Sequence, residues 1–257
     1  MSPSLWETLG LGDRELVSLV GGGGKSTLLL TLGNEAAASG RRVIVTTTTK
    51  MGQNQVVLVP SVCWSPSVTE VERALDGPGP VMVLESGNEY RVIGPGPDVV
   101  DLWFEKTSVD LVVVEADGAR RRPTKAPASY EPVIPSRTTT LVVVMGIDAV
   151  GRPVSEAALR PDLYAGLAGI GTGDLIETDH CIAVLGHRDG GIKSAPGTAR
   201  VVVAITKVRE DPEAEAAARI VAGLTGHPGI DDVVVMPFRA RLHDRDRGAR
   251  RPGRAGG

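Results

Sequence analysis

Cysteine is nearly absent from this chain of 257 residues, which carries only Cys63 and Cys181, far apart in sequence. They make neither a zinc-ligand pair nor a disulfide framework, so a reducing cytoplasm is the expected setting. Aromatic residues make up 3% of the chain, so its core must be built from Val, Leu, Ile and Ala. No apolar run approaches the length that spans a bilayer, which argues against a membrane protein. No basic segment followed by an apolar run opens the chain, so no signal peptide is expected. A net charge of −3 gives no reason to expect nucleic-acid binding over the whole surface. There is no Gly-x-Ser-x-Gly elbow, no His pair at metal spacing and no internal repeat.

What is present is a 42% hydrophobic chain, long enough for one large α/β domain. Apolar runs at 16–20, 42–46, 110–115, 140–145, 200–206 and 232–236 read as strands. The runs at 110–115, 140–145 and 200–206 have the form of parallel strands covered on both faces. Helical patterns at 25–38, 68–75, 99–106 and 212–224 alternate with them. Asp211 is placed to cap the last helix. A short helix is expected around 5–9 and a weaker strand at 55–59. A hairpin is expected from 80–84 and 90–93 around Gly87-Asn88-Glu89. The alternation predicts an α/β fold, a mostly parallel sheet flanked by helices, over residues 1–238. Residues 239–257 are rich in Arg and Gly, and a disordered tail is expected there.

The most informative stretch is Leu16-Val17-Ser18-Leu19-Val20-Gly21-Gly22-Gly23-Gly24-Lys25-Ser26-Thr27, followed by Leu28-Leu29-Leu30. A strand, four glycines, Lys-Ser-Thr and a helix stand in the order of a phosphate-binding loop. Gly21, Gly22, Gly23 and Gly24 let backbone N–H groups converge on an anion. The helix N-terminus adds its own free N–H groups. Lys25 can reach the β- and γ-phosphates, and Ser26 can ligate Mg²⁺. The spacing is Gly21-x-x-Gly24-Lys25-Ser26-Thr27, shorter than the common pattern. It resembles the loop of the amide ligases of cell-wall synthesis and overlaps that of the partitioning ATPases, whose extra upstream Lys is Val20 in this chain.

Glu115 and Asp117 close a buried strand at the end where ligands bind in open α/β sheets. Two residues apart on an extended segment, they point to the same side. They are candidates for holding Mg²⁺ and orienting a water, with Lys25 and Arg120 as further catalytic candidates. The basic run Arg120-Arg121-Arg122 and Lys125 could stabilise phosphoryl charge or clamp an anionic substrate. Thr48, Thr49 and Lys50 follow the second strand, where a hydroxyl could reach metal or phosphate. Thr206 and Lys207 end a later strand and could pack on a base, but Arg209 stands where a guanine-reading Asp would be, so ATP and GTP both stay open.

Three blocks together resemble the YqeC family. They are Val20-Gly21-Gly22-Gly23-Gly24-Lys25-Ser26-Thr27, Val45-Thr46-Thr47-Thr48-Thr49-Lys50-Met51, and the stretch from Val114-Glu115-Ala116-Asp117-Gly118-Ala119-Arg120 through Lys125-Ala126-Pro127. Tyr130-Glu131-Pro132-Val133-Ile134-Pro135 and Gly186-His187-Arg188-Asp189-Gly190-Gly191-Ile192-Lys193-Ser194-Ala195-Pro196 fit as well. The resemblance implies a cytoplasmic P-loop protein that is an accessory factor for selenium-dependent molybdenum hydroxylases, whose cofactor is a pterin dinucleotide. It carries the family's motif onto Lys25, Ser26, Thr48, Lys50, Glu115, Asp117, Arg120, Lys125, Glu131 and Lys193. Three functions are consistent with these residues. One is an NTP-hydrolysing maturation factor using Mg²⁺ with ATP or GTP. The others are a small-molecule kinase or ligase with an anionic acceptor, and a nucleotide-gated binding module.

Overall fold

The structure is a computed structural model and describes residues 3–237. Its strands, in chain order, are β1 (Glu15–Gly21), β2 (Val43–Thr47), β3 (Lys50–Gly52), β4 (Ser61–Trp64), β5 (Val81–Leu84), β6 (Ser86–Gly87), β7 (Arg91–Ile93), β8 (Leu111–Glu115), β9 (Thr124–Lys125), β10 (Thr140–Gly146), β11 (Ala158–Leu159), β12 (Arg200–Val208) and β13 (Asp232–Pro237). Its helices are α1 (Leu5–Thr8), α2 (Lys25–Ala38), α3 (Gln53–Val56), α4 (Val68–Ala74), α5 (Pro97–Lys106), α6 (Val154–Ala157), α7 (Pro161–Ala168), α8 (Thr178–Gly186) and α9 (Glu213–Leu224).

Eight strands form one sheet in the order β13-β12-β10-β1-β8-β2-β5-β4. Every neighbouring pair in it is parallel. The continuous apolar runs make physical sense in this arrangement. Successive side chains on a strand point to opposite faces, and both faces are covered. Val17, Leu19, Val43, Val45, Leu111, Val113, Val142 and Val144 meet Leu28, Leu29 and Leu32 of α2. Leu16, Val20, Ile44, Val112, Val114, Leu141 and Val143 face the other way, onto Trp103 of α5, Tyr164 of α7, Leu185 of α8 and Ile220 of α9. A parallel sheet brings all strand carboxyl ends to one edge. Gly21, Thr47, Glu115, Gly146 and Thr206 therefore gather there.

The structure departs from the sequence reading at several points. Residues 55–59 are not a strand; α3 and a turn occupy this stretch. The apolar run at 80–84 is β5, a central-sheet strand paired to β2 and β4. The hairpin is instead made by β6 and β7, and β3 joins it as a third antiparallel strand. Asp211 does not cap α9: Pro212 holds the N-cap position without a side-chain hydrogen bond. The arginine-rich segment 239–257 lies outside the described residues. Among the described residues, no helix is long and apolar enough to cross a membrane.

Trp103 is 2% exposed and is among the largest enclosed side chains of the α5 face. Trp103→Ala should destabilise the protein by about 3–5 kcal/mol, read as a lowered urea midpoint with little change in slope.

Candidate functional site

The loop between β1 and α2 has no room for a larger residue at Gly21, Gly22 or Gly23, while Gly24 has room but holds φ +138°. A β-carbon on Gly21 would lie 2.3 Å from the Val144 carbonyl oxygen, and one on Gly23 would lie 2.1 Å from the Gly146 nitrogen. Both glycines also have positive φ, at +92° and +83°. The loop is stitched to its neighbours through its own amides. Gly22 N–H donates to Val144 O at 2.8 Å and Gly23 N–H to Arg122 O at 3.0 Å. Thr206 Oγ1 donates to Gly23 O at 2.6 Å, fixing the end of β12 against the loop. The first intrahelical bond of α2 runs from Leu28 N–H to Gly24 O. The N–H groups of Lys25, Ser26 and Thr27 precede it and stand at the helix N-terminus, where an anion is favoured.

Beneath the loop lies a chain of alternating charges. Lys25 Nζ donates to Gly21 O at 2.6 Å and sits 3.0 Å from Asp117 Oδ1 and 3.8 Å from Glu115 Oε1. Ser26 Oγ donates to Glu115 Oε2 at 2.7 Å. Asp117 Oδ2 accepts from Gly21 N–H at 3.0 Å and pairs with Lys125 Nζ at 3.0 Å. Lys125 also donates to Gly118 O and to Glu131 Oε2, at 2.9 and 2.7 Å. Arg160 closes the series at 2.8 Å from Glu131. The side chains of Lys25, Asp117 and Lys125 are 2%, 2% and 1% exposed. A cavity of about 20 Å³ beside Asp117 and Lys125 has room for about one water.

Burial sets the electrostatics and the pairs correct it. Desolvation is the strongest influence on Lys25 and disfavours its charge, but Asp117 and Glu115 outweigh it and raise its pKa. Desolvation also leads at Glu115 and, against the pull of Lys25 and Ser26, lifts its carboxyl above the ordinary range. At Glu131 desolvation is overcome by Lys125 and Arg160, which hold the carboxyl below that range.

Gly21, Gly22, Gly23, Gly24, Lys25, Ser26, Glu115, Asp117, Lys125 and Thr206 come together at this edge, with Thr27 in the first turn of α2. Glu115 and Asp117 both lie near Lys25, but their environments differ. Glu115 meets the Ser26 hydroxyl, whereas Asp117 is turned beneath the loop onto Gly21. Thr48 Oγ1 donates to Val133 O at 2.6 Å, and Lys50 stands exposed on β3. Arg120 is exposed with φ +47°, on a turn whose two ends, Asp117 and Arg122, both bond the glycine loop. Lys207 pairs with Asp148 at 2.7 Å. Lys193 donates to Ala128 O and braces the segment before Glu131.

Two participants escape sequence reasoning. Asp148 lies just beyond β10, and an acidic residue after a buried strand is the signal that finds Glu115; it could have found this one too. Arg160 gives no such signal. It is a left-handed residue before a proline, and only the fold brings it to Glu131.

Lys125→Met would leave Asp117 and Glu131 short of a buried partner. Near pH 7 it should cost about 3–5 kcal/mol of stability. Glu131 is depressed in the folded state, so its contribution is present above the unfolded carboxylate range and lost as pH falls through its folded pKa. The gap between variant and wild type in urea titrations should therefore narrow towards acid pH. Gly23→Ala should lower Tm and weaken anion binding, because the clash is with the Gly146 backbone.

The pattern that defines the YqeC family, described as YqeC protein, matches residues 17–162. The YqeC protein of Escherichia coli (strain K12), whose description gives no activity, is 30% identical over 141 residues, 54% of this chain and 55% of that protein. The match thus spans about half the length of that relative. A crystal structure of FtsY from Mycoplasma mycoides aligns with 88% of this chain and 54% of its own, at 9% identity and a TM-score of 0.35. The glycine loop, Glu115, Asp117, Lys125, Glu131 and Arg160 all lie within the matched span, and the chain belongs to the YqeC family.

Proposed function

We propose that this protein binds and hydrolyses a nucleoside triphosphate at the β1–α2 loop. The observation that carries the reading is the convergence at one helix N-terminus of unbonded amides, the Lys25 ammonium and the Ser26–Glu115 pair. The amides of Lys25, Ser26 and Thr27 receive phosphate oxygens, and Lys25 leaves Gly21 O to neutralise them. Asp117 and Lys125 hold the loop in shape from below. Arg120, on its turn beside the loop, is the candidate for stabilising charge on the transferred phosphoryl group. Thr48 and Lys50, beyond β2, and Thr206 and Lys207, at the end of β12, are the remaining candidates to contact the nucleotide.

The residues fit Mg²⁺. Ser26 Oγ and Glu115 Oε2, 2.7 Å apart, are hard oxygen donors of the type that ion prefers. Among the described residues, no group of three or more His, Cys, Asp or Glu could hold a metal by itself. When bound, Mg²⁺ would supply positive charge to the phosphates. Glu115, raised by burial, is the residue placed to orient a water beside them.

Family membership supports a wider reading: a cytoplasmic accessory factor in the maturation of a selenium-dependent molybdenum hydroxylase. Its partners would be that enzyme or the machinery of its pterin dinucleotide cofactor.

Titration of the protein with ATP and with GTP, with and without Mg²⁺, should give binding and slow phosphate release with one of them. Lys25→Ala should abolish both. Glu115→Gln should keep binding measured without Mg²⁺ and lower release by about 100-fold or more, the scale of a lost acid–base group. Binding unchanged in Lys25→Ala would overturn the reading. A product besides diphosphate and phosphate would instead show a kinase or ligase.

A further inference from the structure

We propose that Glu131 and Arg160 are positioning residues for the phosphate loop, acting on Lys25 through Lys125 and Asp117. The inference rests on the reading of Lys25 as the phosphate-binding lysine, and concerns what sets the lysine's availability.

Each interior member of the charge chain divides itself between two partners. Asp117 offers Oδ1 to Lys25 and Oδ2 to Lys125, both at 3.0 Å. Lys125 is shared between Asp117 at 3.0 Å and Glu131 at 2.7 Å. Glu131 is shared between Lys125 at 2.7 Å and Arg160 at 2.8 Å. When a shared charge moves towards one partner, its distance to the other grows and that attraction falls, steeply so in a poorly solvated interior. Phosphate must win Lys25 from Gly21 O and from the charge of Asp117. The inner carboxylate oxygen, Asp117 Oδ1, lies 3.0 Å from Lys25 Nζ, so it competes directly for the lysine.

The arrangement requires effects that alternate in sign along the chain. Neutralising Glu131 leaves Asp117 as the one charged partner of Lys125, which keeps its bond to Gly118 O, loosens Asp117 from Lys25, and frees the lysine for phosphate. Removing the Arg160 charge makes Glu131 lean on Lys125, returns Asp117 to Lys25, and withholds it. Neither residue touches the glycine loop. Arg160 is partly open to solvent, its side chain 23% exposed beneath the exposed ring of Tyr130, so the outer end of the chain lies at the surface.

The test is nucleotide affinity, measured by calorimetry with whichever of Mg²⁺-ATP or Mg²⁺-GTP the wild type binds. Glu131→Gln keeps an acceptor oxygen and should bind about threefold or more tightly, and Arg160→Met about threefold or more weakly, the range of coupling between contacting charges. Arg160→Lys should restore wild-type affinity. The Glu131→Gln difference should persist at high salt, because its link to Lys125 is enclosed, and the Arg160→Met difference should be only partly screened. Weaker binding in both Glu131→Gln and Arg160→Met would show structural damage only and overturn the proposal. So would differences that vanish at high salt, which would show long-range surface attraction. If Glu131→Gln does not fold, the Arg160→Met and Arg160→Lys pair decides alone. Wild-type protein that binds neither nucleotide overturns the functional reading and this inference with it; binding with no sign alternation overturns this inference alone.

Discussion

The interaction on which the site depends is the pairing of Asp117 with two lysines and one backbone amide. A carboxylate 2% exposed is costly to bury without such company. Gly21 N–H, Lys25 and Lys125 supply it from three directions. Because Gly21 N–H is one of them, the shape of the loop and the ionic balance beneath it are the same fact. Glu131 and Arg160 extend that balance to the surface.

The parallel sheet makes this possible. Five strands deliver their carboxyl ends to one edge: β1 brings the loop, β8 the acidic pair, β10 and β12 the backbone that braces it, and β2 the threonines. The two apolar faces of the sheet are well covered, so the edge is a rigid rim. Strain gathers there too. Arg120, Arg121 and Lys207 all hold left-handed backbone within a few residues of the rim, a conformation kept where surrounding structure enforces it.

Much of the architecture was legible because its signals are local. Continuous Val and Leu runs marked β8, β10 and β12, and the helix after the loop was predictable to within a residue. The run at 80–84 was also read as extended, but its partner was misassigned. Adjacency in sequence suggested a hairpin with 90–93, and the sheet instead takes β5 for its interior. Segments at 53–56, 154–157 and 178–186 escaped because they are short, 4, 4 and 9 residues, and their helices are fixed by packing rather than by periodicity.

By itself, the sequence determined the unit of strand, glycine loop and helix and the acidic strand end beside it. Glycine, lysine and hydroxyl in that order, with two carboxylates after a buried strand, are local patterns with a chemical meaning. Only the tertiary structure decided that Asp117 lies beneath the loop and Glu115 beside Ser26, that Thr206 closes on Gly23, and that Arg160 completes the charge chain. Those relations join residues tens of positions or more apart, through strand order and crossover. Charge compensation in an interior depends on distance in space, which no spacing along the chain encodes.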